Sequence, residues 1–211
     1  MFPAEVSALH PALELVDGLD EAALQGYTQV HESGLHLLTA AMEDIILPED
    51  VNEHRVRKLL SVLEGVYRTI VIDLPRRIDT ATAAVLMRAD AIVIVSQQSI
   101  VHLHDTKRLC HLLQDQLGIP TERLLLLLNR FDKKAHIRDE DFTSISAGLA
   151  VEDVPGDFRR VSESINFGVP VYQSGPRSPL GKRLFELATI IARPSTKRPP
   201  RSNGIFGWLS R

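Results

Sequence analysis

Two near-continuous apolar runs, Ala91-Ile92-Val93-Ile94-Val95 and Leu124-Leu125-Leu126-Leu127-Leu128-Asn129, constrain the fold of this chain more than any other feature. A strand with one wet face alternates polar and apolar residues, so runs like these read as strands buried on both faces of a parallel sheet. Thr69-Ile70-Val71-Ile72-Asp73 has the same character, Leu35-His36-Leu37-Leu38-Thr39 is a plausible earlier strand, and weaker candidates surround Ala150 to Val154 and Pro170 to Tyr172. Between them, residues 52–65, 79–88, 100–117, 139–148, 158–167 and 179–192 read as helices. Asp79 is placed to cap the second of these, and Gly118 with Pro120 closes the long third one. Strands alternating with helices predict an α/β fold, a three-layer, mostly parallel sheet with helices on both faces.

A chain of 211 residues, 44% hydrophobic and 24% charged, can bury a core without disulfides or metal. Its single cysteine, Cys110, shares an apolar helical stripe with Ile100, Leu103, Leu113 and Leu117, which predicts a buried thiol rather than a nucleophile. His104 and His111 share a face of that helix but stand two turns apart, beyond the reach of one ion, and His102 points elsewhere, so solvated histidines are expected. No run approaches the roughly 18–20 apolar residues of a membrane span, and Met1 to Leu13 lacks the features of a signal peptide, so the expected address is cytoplasmic. The net charge is −3, yet Arg193, Lys197, Arg198, Arg201 and Arg211 sit in an acid-free terminus, leaving −8 on residues 1–192. An acidic body argues against a general nucleic-acid binder. Residues 1–192 are therefore read as the domain, and the Pro-containing residues 193–211 as a basic tether with a short amphipathic terminus.

The segment richest in chemistry is Ile70-Val71-Ile72-Asp73-Leu74-Pro75. In P-loop NTPases an aspartate ending such a strand sits beside the nucleotide's magnesium, while the alternative is a carboxylate that caps the following turn. Further blocks follow in order: Ala89-Asp90-Ala91-Ile92-Val93-Ile94-Val95, Gln97-Gln98-Ser99 with Asp105-Thr106-Lys107-Arg108-Leu109, Leu128-Asn129-Arg130-Phe131-Asp132, Val154-Pro155-Gly156-Asp157-Phe158, Val161 through Pro170, and Pro176-Arg177-Ser178-Pro179-Leu180. Together, over at least residues 67–192, they resemble the MinD/ParA-like P-loop ATPase superfamily, and more narrowly the Tad/Flp pilus assembly proteins of the CpaE/TadZ family. His31-Glu32-Ser33-Gly34-Leu35 extends the resemblance towards the amino end.

The resemblance implies that Asn129 hydrogen-bonds an adenine edge, that Pro155 lies in the loop packing against the base, and that Asp73 stands near a metal-bound water. Asn129 as a simple turn former before Arg130 is the other reading. The chain departs from the hydrolysing members of that superfamily in showing no strand that runs into a Gly-rich phosphate loop. The fragment from Gly175 to Arg183 has five residues between Gly175 and Gly181 and Arg183 where Ser or Thr belongs, and is read as a turn leading into the last helix. In the family frame Met1 falls after the phosphate loop, so a mis-called start is favoured over a truncated product or a split partner. ATP and magnesium are implied only if that loop is present, and no cofactor is expected for the chain as given.

The expected function is that of a pilus assembly factor that positions the secretion machinery by interaction, without hydrolysis. Two alternatives stay open: a fragment of an active MinD-type ATPase whose loop lies upstream, and a ParA-like partitioning protein acting on DNA. Expected partners are pilus assembly or secretion proteins and a second copy, with the helix over 100–117 near the dimer face. Ile205, Phe206, Trp208 and Leu209 fall on one side of a short helix, which predicts a weak peripheral contact with the inner membrane.

Overall fold

The computed structural model describes residues 8–40, 50–146 and 148–192. The chain divides into two compact units, one drawn from Met1–Ala89 and Arg159–Pro170, the other from Asp90–Phe158 and Val171–Arg211.

The first unit is chiefly helical. Helices α1 (Leu9–Glu14) and α2 (Glu21–Leu24) precede a two-residue hairpin, β1 (Gln29–Val30) antiparallel to β2 (His36–Leu37). Two longer helices follow, α3 (Glu53–Val66) and α4 (Thr80–Arg88). Val56, Leu59 and Leu60 of α3 bury against Leu13, Val16, Leu19 and Leu24 on one side and Ala81 and Val85 of α4 on the other. That stripe, continued by Leu63, has the i, i+3, i+4, i+7 spacing of one helix face. Arg88 fastens α4 to α3: its guanidinium grips Glu64 at 3.1 and 2.6 Å and reaches the Arg57 carbonyl at 3.1 Å.

Asp79 caps α4 as the sequence predicts, its carboxylate accepting the Thr82 amide at 2.9 Å. Thr69–Asp73, in contrast, corrects the expectation of a second strong strand. The segment carries no strand assignment, and Val71 is 91% exposed. An apolar run becomes a strand only where a neighbouring backbone offers a ladder, and no described strand pairs with it. The expected strand at Leu35–Thr39 shrinks, for its part, to β2 in the hairpin.

The second unit holds the parallel sheet, in the order β3 (Ile92–Ser96), β4 (Leu124–Phe131), β5 (Ala150–Pro155). Ile92 pairs with Leu124 and, through successive residues, Ser96 with Leu128; Leu125 to Leu128 then pair with Ala150 to Asp153. The central strand is buried on both faces, with Leu126 and Leu128 fully enclosed, which is why its sequence is continuously apolar. The expectation of double burial fails at β3, where Ile92, Ile94 and Ser96 are buried but Val95 is 60% exposed, because β3 is an edge of the described sheet.

Helices α5 (Ile100–His111), α6 (Asp139–Ile145), α8 (Val171–Ser174) and α9 (Pro179–Ile191) flank the sheet, while α7 (Phe158–Phe167) falls, after its first residue, in the first unit. A buried Ser96–Thr106 hydroxyl pair at 2.8 Å ties β3 to α5. The long third helix departs from its expected form after His111, where Leu112–Gln116 winds as a π-helix before Gly118, at φ +63°, ends it. Cys110 is buried as expected, and burial pushes its thiol pKa up, away from reactivity. Pro170–Tyr172, expected as a weak strand, instead leads into α8. The Gly175–Arg183 fragment is the expected turn into α9: Ser178 caps it by accepting the Gly181 amide at 3.0 Å. A Cβ at Gly181 would stand 2.1 Å from the Gly175 carbonyl oxygen, so that glycine serves a close backbone approach.

The Thr82 amide, helped by Arg77, holds the Asp79 carboxyl below the usual carboxylate range. A carboxyl with a lowered folded pKa adds stability above its unfolded pKa of about 3.9 and loses it as pH falls through the folded value. Urea denaturation of wild type and Asp79→Asn should therefore give a constant stability gap above about pH 5 that closes towards about pH 3. A gap that widens on acidification would contradict the cap.

Candidate functional site

Parallel strands present their carboxyl ends along one edge, where side chains and loop amides open to ligands. In the second unit this edge carries a cleft of about 220 Å³, lined by Gln97, Gln98, Ser99, His102, Asn129, Arg130, Asp132 and Ala135. The cleft is smaller than the roughly 300–1,000 Å³ of pockets that enclose drug-sized molecules.

Two local devices shape the cleft. Beyond Leu128 the β4–β5 register slips, and Arg130 takes φ +56°, a left-handed conformation that is uncommon outside glycine. Asn129 supports that turn, its Oδ1 accepting the Arg130 amide at 2.9 Å. Strain of this kind costs of order 1–3 kcal/mol and concentrates at ligand sites. The second device is Gln98. Its Oε1 accepts the Asp132 amide at 2.7 Å, while its Nε2 donates to the carbonyls of Ile137 at 2.8 Å and Asp132 at 3.2 Å. One side chain thus holds the loop after β4 against the start of α5. Ser99 caps α5, and its hydroxyl meets His102 Nδ1 at 2.7 Å.

The carboxamide of Gln98 is committed to this structural work. The side-chain carboxamide of Gln97 and the Nδ2 of Asn129 have no hydrogen-bond partner among the described residues, and each is a group able to read the edge of a base. Arg130 and Asp132 are the charged residues at the rim.

The structure sets the expected base-contacting residues on neighbouring strand ends: Asn129 lies near the end of β4, and Pro155 ends β5, paired with Phe131. Asp73 belongs to the other unit, where it closes the extended segment with its side chain exposed. His104 and His111 are exposed on α5, with His111 beside Asp115, and His102 is the one of the three that reaches the cleft. Sequence reasoning read Gln98 only as part of a block that carries the family resemblance and gave no weight to the Arg130 backbone. The Asn-Arg pair directly after five leucines was the available signal for that turn.

No family model matches the chain. A chromosome partitioning protein ParA of Myxococcus xanthus (strain DK1622) is 27% identical over 190 residues, which make up 83% of this chain and 63% of that protein. The chain thus spans under two thirds of that relative's length. Among solved structures, a ParA family ATPase from Chlorobium tepidum TLS superposes with a TM-score of 0.78 at 23% identity, covering 88% of this chain and 76% of that one. The cell division ATPase MinD of Pyrococcus furiosus gives 0.68 at 18% identity, over 90% and 76% of the two chains. The septum site-determining protein MinD of Pyrococcus horikoshii OT3, complexed with Mg-ADP, gives 0.64 at 17%, over 89% and 88%. The fold is that of the ParA and MinD ATPases. The ParA relative, at 27% identity, is consistent with that fold.

If Gln98 holds the loop, Gln98→Ala should cost about 1 kcal/mol and expose the Asp132 amide. Hydrogen exchange read by NMR should show that amide exchanging faster while the β4 amides keep their protection. An unchanged Asp132 rate would remove the clamp from the account.

Proposed function

We propose that this chain is a positioning factor of Tad/Flp pilus assembly, built on the ParA/MinD fold and acting by interaction with pilus assembly or secretion proteins. The ordered sequence blocks over residues 67–192, which resemble those of the CpaE/TadZ proteins, carry this reading. The cleft beneath Asn129 supports a nucleotide as its switch ligand, and the MinD structure bound to Mg-ADP supplies the precedent on a similar fold.

The residues fit part of such a ligand. The carboxamides of Asn129 and Gln97 suit an adenine ring, and Pro155 stands on the adjoining strand end to pack near it. Magnesium, when bound with the nucleotide, would neutralise phosphate charge. Among the described residues no group of three His, Cys, Asp or Glu side chains is placed to hold a metal ion. No hydrolysis is assigned to the chain as given, whose sequence offers no Gly-rich loop to stabilise the charge that develops on phosphoryl transfer.

The same reading includes a homodimer, for which Val95, Ile100 and Val101, each at least 60% exposed at the β3–α5 junction, offer an apolar face. It also includes a peripheral membrane contact by Ile205, Phe206, Trp208 and Leu209, which lie outside the described residues. The ParA relative favours a second reading, a partitioning role on DNA, which the −8 charge of residues 1–192 opposes.

Deletion in the native host decides between the two, with complementation by the intact chain, by Val101→Asp and by a chain ending at Ala192. Pili should disappear on deletion and return fully only with the intact chain. Normal piliation accompanied by faulty chromosome segregation would overturn the pilus reading in favour of partitioning.

A further inference from the structure

Far along the chain from the cleft just described, the second unit carries a groove of about 250 Å³ lined by Tyr172, Pro176, Lys182, Phe185 and Glu186. Lys182, Phe185 and Glu186 are spaced i, i+3, i+4, so they share one face of α9, while Tyr172 comes from α8 and Pro176 from the turn between the helices. The Tyr172 and Phe185 rings lie nearly parallel, 17° apart in plane with centroids at 6.4 Å, yet they are 45% and 61% exposed. A paired aromatic surface left open to water beside a proline is the kind of groove on which proline-rich, polyproline-II segments dock, because such segments enter already extended and give up little entropy.

The chain itself contains a segment of this chemistry. Immediately after Ala192 comes Arg193-Pro194-Ser195-Thr196-Lys197-Arg198-Pro199-Pro200-Arg201, which lies outside the described residues. We propose that this segment, through Pro199 and Pro200, occupies the Tyr172–Phe185 groove of its own chain.

Length permits it. Glu186 lies five residues before the end of α9, about 8 Å along the helix axis. The seven residues from Arg193 to Pro199 span up to about 22 Å in polyproline-II form, enough to turn and run back to the groove. The basic segment, with Arg193, Lys197, Arg198 and Arg201, faces a body of −8, but at the groove itself Glu186 is paired with Arg183 at 3.1 Å and Lys182 stands beside it, so the prolines and the aromatic rings carry the contact. Attachment to the same helix raises the local concentration to the millimolar range, so a contact too weak to hold a free peptide suffices. Docked this way, the tether draws Ile205, Phe206, Trp208 and Leu209 towards α9 and limits what they can reach. The inference does not depend on the pilus reading.

A nitroxide on Ser202→Cys of the full chain tests it, because the native Cys110 is buried and escapes labelling. Amide signals of Lys182, Phe185 and Glu186 should broaden, and the broadening should vanish in the Pro199→Ala/Pro200→Ala variant, whose changes lie outside the described residues. Absent broadening, or broadening that survives the proline substitutions, overturns the proposal. Broadening seen only when a spin-labelled chain is mixed with a separate isotope-labelled one also overturns it, by making the occupant a second copy.

Discussion

The parallel pairing of β3, β4 and β5 is the constraint on which the second unit depends. Parallel strands need crossover connections, and here α5 joins β3 to β4 while α6 joins β4 to β5. A central strand with neighbours on both edges and helices over its faces has no wet side, and the leucine run of β4 answers that demand. All carboxyl ends then fall on one edge. The cleft, the left-handed Arg130 and the Gln98 clamp are consequences of that edge rather than separate features.

How much of this was legible in the sequence differs by element. Strands β3 and β4 could be read to within a residue or two, because each is a short continuous apolar run, although only β4 is buried on both faces. The helices over 53–66, 80–88 and 179–191 were equally plain, since each carries its apolar stripe and a capping residue at its start. Thr69–Asp73 misled for an instructive reason. Its residues state a preference for pairing, but pairing belongs to two segments, and one segment's composition cannot say whether the other is there. Short α1 and α2 went unread because helices of 6 and 4 residues show less than two turns of periodicity.

The candidate site was legible in part. Asn129 could be placed at a strand end from sequence, whereas Pro155, expected in a loop, ends β5 beside it and is not among the residues lining the cleft. Gln98 could not be read that way, since its three hydrogen bonds join positions 34 and 39 residues away and a surface glutamine near a helix start gives no hint of them. Physically, the clamp and the strained Arg130 turn do the same thing: both fix the loop after β4 before any ligand arrives, which lowers the ordering cost of binding.

The central claim is that this prepared cleft receives an adenine ring. Titrating the isotope-labelled chain with AMP, which offers the ring with a single phosphate, measures it directly. The side-chain carboxamide signals of Asn129 and Gln97 should shift saturably, and Asn129→Ala should weaken the apparent affinity several-fold while leaving the β4 backbone signals in place. Carboxamide signals that stay put at millimolar AMP, or shifts that are the same in Asn129→Ala, would contradict the account.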